Sequence, residues 1–309
     1  MKRSRYQNYD GTQNTHTYSD MIRWYKERKA KKKDLSNSIP HAAQKEIRRL
    51  QENRTLFSMT WIGHSTFLIQ MNGLNILTDP VWAKRMGFGR RLTEPGLPMD
   101  ALPEIDIVLI SHGHYDHLDF GSIRKLKGSP VFYVPVGLKS AFIRRGYQNV
   151  IEANWWDRFT HEEITISFVP AQHWTRRTVS DINTSHWGGW IVEDPKTAKS
   201  VYFVGDTGYF RGFKDIADRY EIDIVLMPIG AYEPEWFMAT SHINPEDSIK
   251  AFLELKGRMF IPMHYGAYRL ADDTGPEALE RLYKEWDRLQ LKKDILNVMA
   301  IGESYWIKQ

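Results

Sequence analysis

Within Ile110-Ser111-His112-Gly113-His114-Tyr115-Asp116-His117-Leu118-Asp119 an apolar run gives way to three histidines and an aspartate in the spacing H-x-H-x-D-H. Imidazole and carboxylate groups are ligands for divalent metals, and the chain has no cysteine, which excludes thiolate zinc sites, disulfides and a cysteine nucleophile. Capping a following helix needs one or two polar groups and gives no reason for three histidines in six residues. Four such groups within six residues also exceed what one tetrahedral ion takes once water has a place, so the stretch implies two metals. Two ions together activate a water and neutralise charge on phosphoryl or carbonyl oxygens, which is hydrolytic chemistry.

The elements around the motif must bring further ligands to it. Glu104 to Ser111 reads as a buried strand, which puts the histidines on the turn at its C-terminal end. Three more candidates stand just beyond apolar strands: His173 after Ile164 to Val169, Asp206 after Val201 to Val204, and His264 after Met259 to Ile261. In sheet-based enzymes the functional groups gather beyond the C-terminal strand ends, where loops converge. The set divides into His112, His114 and His173 for one ion and Asp116, His117 and His264 for the other, with Asp206 bridging. Asp79, which ends the strand Leu74 to Thr78, suits a carboxylate that holds a ligand histidine from behind. His242, just before the helix start Asn244-Pro245, is the candidate for proton delivery. Arg176 and Arg177, three and four residues past His173, are candidates for holding a substrate phosphate. His64, inside the stretch Met59 to Ile69 that reads as one strand, is taken as structural.

The 309 residues, 42% of them hydrophobic, are enough for a sizeable core. Neither a signal-peptide core nor a run of about 18 apolar residues occurs, so a cytoplasmic protein is expected, peripheral at most on the inner face of the membrane. Residues 1–55 hold 14 Lys and Arg against 6 Asp and Glu, whereas the rest holds 28 against 32. With scattered apolar residues, 1–55 reads as a basic extension packing on a body of residues 56–309. Its Lys26, Arg28, Lys29, Lys31, Lys32 and Lys33 follow Trp24 and Tyr25, a pattern that suits an anionic lipid surface or nucleic acid; the lipid surface is the expected partner, with the two rings at the headgroup level, and nucleic acid is not expected. Asn72-Gly73 marks a hairpin turn before Leu74 to Thr78, and strands are expected at Val131 to Val136, Glu163 to Val169, Gly189 to Val192, Val201 to Val204, Glu221 to Pro228 and Ser304 to Ile307. Helices are expected at Phe120 to Leu126, Leu138 to Arg145, from Asn244 to Gly257 and from Pro276 to Leu289. Glu104-Ile105-Asp106-Ile107-Val108-Leu109 recurs letter for letter at 221–226, which suggests two halves on one plan.

The H-x-H-x-D-H stretch, a later His, the Asp of Gly205-Asp206-Thr207-Gly208 and a final His resemble the metallo-β-lactamase superfamily. Leu77-Thr78-Asp79-Pro80, Tyr115-Asp116-His117-Leu118-Asp119, Gln172-His173-Trp174 and Pro228-Ile229-Gly230-Ala231-Tyr232-Glu233-Pro234 resemble its N-acyl-phosphatidylethanolamine phospholipase D branch, over residues 56 to 270. The resemblance implies an α/β fold, a four-layer αβ/βα sandwich with a two-metal site at one edge. It implies a phosphodiesterase holding two zinc ions, or manganese or iron, and acting on a phospholipid or another phosphodiester. The alternatives are a lactonase or nuclease of the same fold, or a membrane-associated protein whose metal only anchors loops.

Overall fold

The structure, a computed structural model, describes residues 5–13, 16–36, 39–87 and 89–307. Strands β1 (Ser58–Gly63), β2 (Thr66–Met71) and β3 (Leu74–Thr78) are followed by a short ribbon, β4 (Arg85–Met86) and β5 (Gly89–Arg90), and by β6 (Ile107–Leu109), β7 (Val131–Pro135) and β8 (Val150–Ala153). Then come β9 (Arg158–His161), β10 (Ile164–Val169), β11 (Gly189–Asp194), β12 (Lys199–Phe203), β13 (Ile224–Pro228), β14 (Met259–Met263) and β15 (Ser304–Trp306). The helices are α1 (Tyr18–Ala30), α2 (Ile47–Glu52), α3 (Phe120–Ile123), α4 (Lys139–Ile143), α5 (Gly212–Ala217), α6 (Glu235–Met238), α7 (Pro245–Glu254) and α8 (Gly275–Arg288).

Two mixed sheets form, in the orders β15-β1-β2-β3-β6-β7-β8 and β14-β13-β12-β11-β10-β9. Alternation along the strands decides what each face covers. Phe67, Ile69, Ile76, Ile107, Leu109 and Tyr133 of the first sheet share one core with Ile166, Phe168, Trp190, Val201 and Leu226 of the second. The alternate residues Leu68, Leu77, Val108, Phe132 and Val134 pack instead with Leu50, Ile123 and Phe142 of α2, α3 and α4. On the far side of the second sheet lie Phe213 of α5, Ile249 and Phe252 of α7, and Leu282 and Trp286 of α8. The layers are therefore helix, sheet, sheet, helix, as expected.

The repeated hexapeptide occupies matching places. β6 lies parallel between β3 and β7, and β13 lies parallel between β12 and β14. Asp106 accepts from the backbone N–H of Asn75 in β3, and Asp223 accepts from that of Ser200 in β12.

The strands expected at 104–111 and 221–228 shorten to β6 and β13, and one expected strand is not a single strand at all. Met59 to Ile69 is a hairpin rather than one strand, because Gly63 at φ 121° and His64 at φ 56° reverse the chain between β1 and β2. The basic extension also uses its side chains differently. Trp24 stacks on Phe237 at 5.0 Å and donates Nε1–H to Asp272, so it packs against the body instead of facing lipid. Arg28 lies 3.5 Å from Asp272, and Lys33 pairs with Glu233 at 3.2 Å and Glu277 at 2.6 Å. Tyr25 remains exposed. No helix among the described residues is long and apolar enough to cross a membrane.

Candidate metal centre

Within the first sheet β1, β3 and β6 share one direction, as do β10, β12 and β14 within the second, and the segments leaving their C-terminal ends meet at one edge of the sandwich. They deliver His64, Asp79, the His112–His117 turn, His173, Asp206 and His264 respectively. Three of these residues hold left-handed backbone, His64 at φ 56°, Asp79 at φ 31° and His264 at φ 61°, a conformation that side chains other than glycine adopt at a cost. Gly205, at φ 69° just before Asp206, packs against Ser111, and a Cβ added to it would come within 2.7 Å of the Ser111 Cβ.

Hydrogen bonds fix the tautomers. The Ser241 carbonyl can only accept, so His173 Nδ1–H donates to it at 2.8 Å and Nε2 is left with its lone pair facing inward. Ser111 Oγ–H donates to Asp79 and therefore accepts from His112 Nδ1–H at 2.9 Å, which frees His112 Nε2. His117 Nδ1–H donates to Asp79 Oδ2 at 2.6 Å, which aims its Nε2 into the site.

The inward atoms form two groups. His112 Nε2 and His173 Nε2 lie 2.9 and 3.2 Å from His114 Nδ1. His117 Nε2 lies 3.3 Å from Asp116 Oδ2, and His264 Nε2 lies 3.7 Å from the same oxygen. Asp206 stands between them, 3.1 Å from His117 Nε2 and 3.0 Å from His264 Nε2, with His112 and His173 Nε2 each at 3.9 Å. His64 joins the second group and donates to Asp116 at 3.1 Å from Nε2.

The donor set fits divalent metal. Ligands about 2.0–2.1 Å from a tetrahedral ion stand about 3.3–3.4 Å apart, which is close to the spacing within each group. His117 Nε2, His264 Nε2 and Asp206 Oδ1 are buried without a hydrogen-bond partner, although carboxylate oxygens stand 3.0–3.3 Å from His117 and His264. Lone pairs turned toward one another at this range call for a cation between them. Burial, with the neighbouring histidines, keeps His112 and His173 well below the usual imidazole range and His114 at about 4, so these three are in the neutral form that binds metal. Burial disfavours charge on His117 and His264 too, but Asp206 and Asp116 outweigh it, lifting His117 well above its usual value and His264 to about 9. A proton there does the work of a cation. Burial would raise Asp116 and Asp206, yet His117 beside them draws both well below the carboxylate range.

The structure thus brings together every ligand expected from the sequence and sets Asp79 behind His117. His242 reaches the rim, with Nδ1 3.9 Å from Asp206 and a side chain only 16% exposed; burial lowers it to about 4. The two arginines do not meet the expectation of a phosphate clamp. Arg176 is exposed and donates to the Thr178 carbonyl. Arg177 donates Nη1–H to the carbonyls of Gly113 at 2.7 Å and Leu118 at 2.9 Å, and its guanidinium lies over the Tyr115 ring at 4.1 Å. It braces the ligand turn.

Three contributors escaped the sequence reading. His64 was hidden by the fused strand, although Gly63-His64-Ser65 carries a turn signal. Asn8 of the extension accepts from the His173 backbone N–H at 2.9 Å and from Trp187 Nε1–H at 3.0 Å. Asp273 accepts from the backbone N–H groups of Ala231 and Glu233, pinning the loop after β13 beside the site.

Residues 74–265 match the family described as the beta-lactamase superfamily domain. The chain belongs to the beta-lactamase superfamily. Among its relatives, N-acyl-phosphatidylethanolamine-hydrolyzing phospholipase D 1 of Caenorhabditis elegans is 36% identical over 68% of this chain and 64% of its own length. The mitochondrial N-acyl-phosphatidylethanolamine-hydrolyzing phospholipase D of Saccharomyces cerevisiae is 35% identical over 74% of this chain and 52% of its own. The chain thus spans about half to two thirds of the length of these relatives. A metallo hydrolase of the archaeon Ignicoccus hospitalis superposes with a TM-score of 0.60 at 23% identity, over 82% of this chain and 100% of that one, which shows the shared superfamily fold.

Proposed function

We propose that the chain is a binuclear metal-dependent phosphodiesterase of the phospholipase D type, acting on N-acyl-phosphatidylethanolamine or a related phospholipid. The observation that carries this reading is the pair of converging ligand groups that share Asp206. The His-rich donors favour zinc, with manganese or iron as alternatives. Two bound ions would lower the pKa of a water and neutralise charge developing on the phosphoryl oxygens. The residues supply the positioning. Asp206 holds the two groups in one register, Asp116 is steadied by His64, and Asp79 fixes the His117 tautomer. His242 faces the site from the rim, where a phosphodiester anion would raise its pKa and ready it to give a proton to the departing oxygen. The names of the two phospholipase relatives support the lipid substrate.

The same reading includes peripheral contact with an anionic membrane, now through a different face of α1. Tyr18, Met21, Ile22 and Tyr25 recur at helical spacing and are 81%, 53%, 41% and 67% exposed, with Lys26 and Lys29 beside them. Incubation with vesicles containing N-acyl-phosphatidylethanolamine, with products identified by mass spectrometry, tests the function. Phosphatidate and N-acylethanolamine are the expected products. Hydrolysis of a lactone or of RNA without attack on the vesicle lipid would replace this reading with one of the other activities of the fold.

A further inference from the structure

Beside the metal centre a cleft of about 1250 Å³ opens between the segment after β3 and helix α3. It is lined by Lys84, Arg85, Arg90 and Arg91 from the first and by Arg124 and Lys125 from the second. The carboxylates on its wall are Glu94 and Asp119, and Asp119 is occupied in capping α3 through the backbone N–H groups of Gly121 at 2.9 Å and Ser122 at 3.0 Å. Among the described residues no carboxylate lies within 4.0 Å of any of the six cations, whereas Arg28, Lys33, Arg54 and Arg281 elsewhere all have acidic partners.

Two details show that the concentration of charge is built in. In the β4–β5 ribbon Arg85 and Arg90 are directly opposed, and like charges facing across a strand pair destabilise it unless something offsets them. Arg91 is held by the Val81 and Thr93 carbonyls and by the Tyr268 hydroxyl, yet its Nη2 is buried with no partner. The Tyr268 ring lies 5.4 Å from His64, so Arg91 joins the cleft to the second metal group.

We propose that this cleft binds a ligand carrying two or more phosphate groups, separately from the phosphodiester at the metals. Several unpaired cations are wasted on one phosphate, and the volume exceeds what one needs. Single-strand nucleic acid is less suited, since such sites stack bases on aromatic rings and, among the described residues, the cleft offers only Trp82, which is half-buried with Nε1–H bonded to the Leu97 carbonyl. The phosphates could come from a free polyphosphate or from a lipid headgroup bearing more than one.

The test is titration calorimetry with inorganic tripolyphosphate, and flotation with phosphatidylcholine vesicles containing a bisphosphate phosphoinositide. Both are run on the metal-loaded wild type and on two exposed-residue pairs, Lys84→Ser/Arg85→Ser and Arg124→Ser/Lys125→Ser, whose melting temperatures report folding. The wild type is expected to bind at least one probe, and each pair to weaken that binding about tenfold or more, as loss of a charge-assisted contact does. Binding of tripolyphosphate identifies a soluble ligand, and binding of the vesicles alone identifies the headgroup. No binding of either probe, wild-type affinity retained in either folded pair, or binding of single-stranded RNA alone overturns the proposal. The metal ligands are untouched in both pairs, so these outcomes stand apart from success or failure of the phosphodiesterase reading.

Discussion

Replacing Asp79 with Asn changes one atom pair and isolates the support behind the metals. Asp79 is fully buried and accepts from Ser111 N–H at 2.7 Å, from Ser111 Oγ–H and from His117 Nδ1–H at 2.6 Å. In Asp79→Asn one amide orientation sets NH₂ against the Ser111 N–H, which cannot accept, while the other keeps that bond to the amide oxygen and turns NH₂ toward both Ser111 Oγ and His117 Nδ1. Set against Nδ1–H it opposes donor to donor, and His117 escapes by moving its proton to Nε2, which removes the lone pair aimed at Asp116 and Asp206. Loss of such an orienting partner costs about 10–100-fold in metal affinity or activity, or about 1.4–3 kcal/mol. The fold should persist, because burial raises the Asp79 pKa and the uncharged amide avoids the cost of a buried charge. The assay is competition for zinc against a chromophoric chelator. The step assigned to Asp116, His117 and His264 should weaken by that factor, and by more than the step assigned to His112, His114 and His173, whose His112 reaches Asp79 only through Ser111 Oγ. Two unchanged steps would refute the argument that Asp79 sets the His117 tautomer.

Asp206→Ala removes the carboxylate between the two groups and should abolish turnover while circular dichroism stays that of the wild type; retained turnover would contradict its shared role. His242→Ala should slow alkyl phosphodiesters about 10²–10⁴-fold and nitrophenyl esters much less, and equal losses would count against proton delivery. Asp273 is raised by burial from 3.8 to about 6, so its protonated form is favoured in the fold; the resulting stability is complete below pH 3.8 and is lost as pH rises through about 6. That shift of about two pH units corresponds to about 3 kcal/mol, and Asp273→Asn should gain on the wild type by an amount of that order between pH 4 and 7 in thermal unfolding; a pH-independent difference would contradict the assignment.

Much of this was legible because the signals were local. Buried strands that end in ligands write themselves as an apolar run followed by His or Asp, and β6, β10, β12 and β14 all do so. Asn244 and Pro245 announce α7 in the same way, and the Asn244 side chain accepts from the Asp247 N–H at 2.8 Å. What failed depended on partners distant in sequence. Trp24 looks like an interfacial ring until Phe237 and Asp272 are placed against it, and Arg177 looks like a free cation until the ligand turn curls round to offer its carbonyls. Asn8 lies 165 residues from His173, and no pattern in its neighbourhood marks it. Because Asn8 holds the His173 backbone, removing residues 1–35 should impair hydrolysis of a soluble phosphodiester as well as binding to vesicles.

The central claim is that the two ligand groups hold an ion each. The direct measurement is zinc titration into metal-stripped protein, followed in parallel by elemental analysis and by hydrolysis of bis-(p-nitrophenyl) phosphate. Close to two zinc ions per chain at full activity is the expected result. Full activity with one ion per chain, and no second ion taken up, would contradict it.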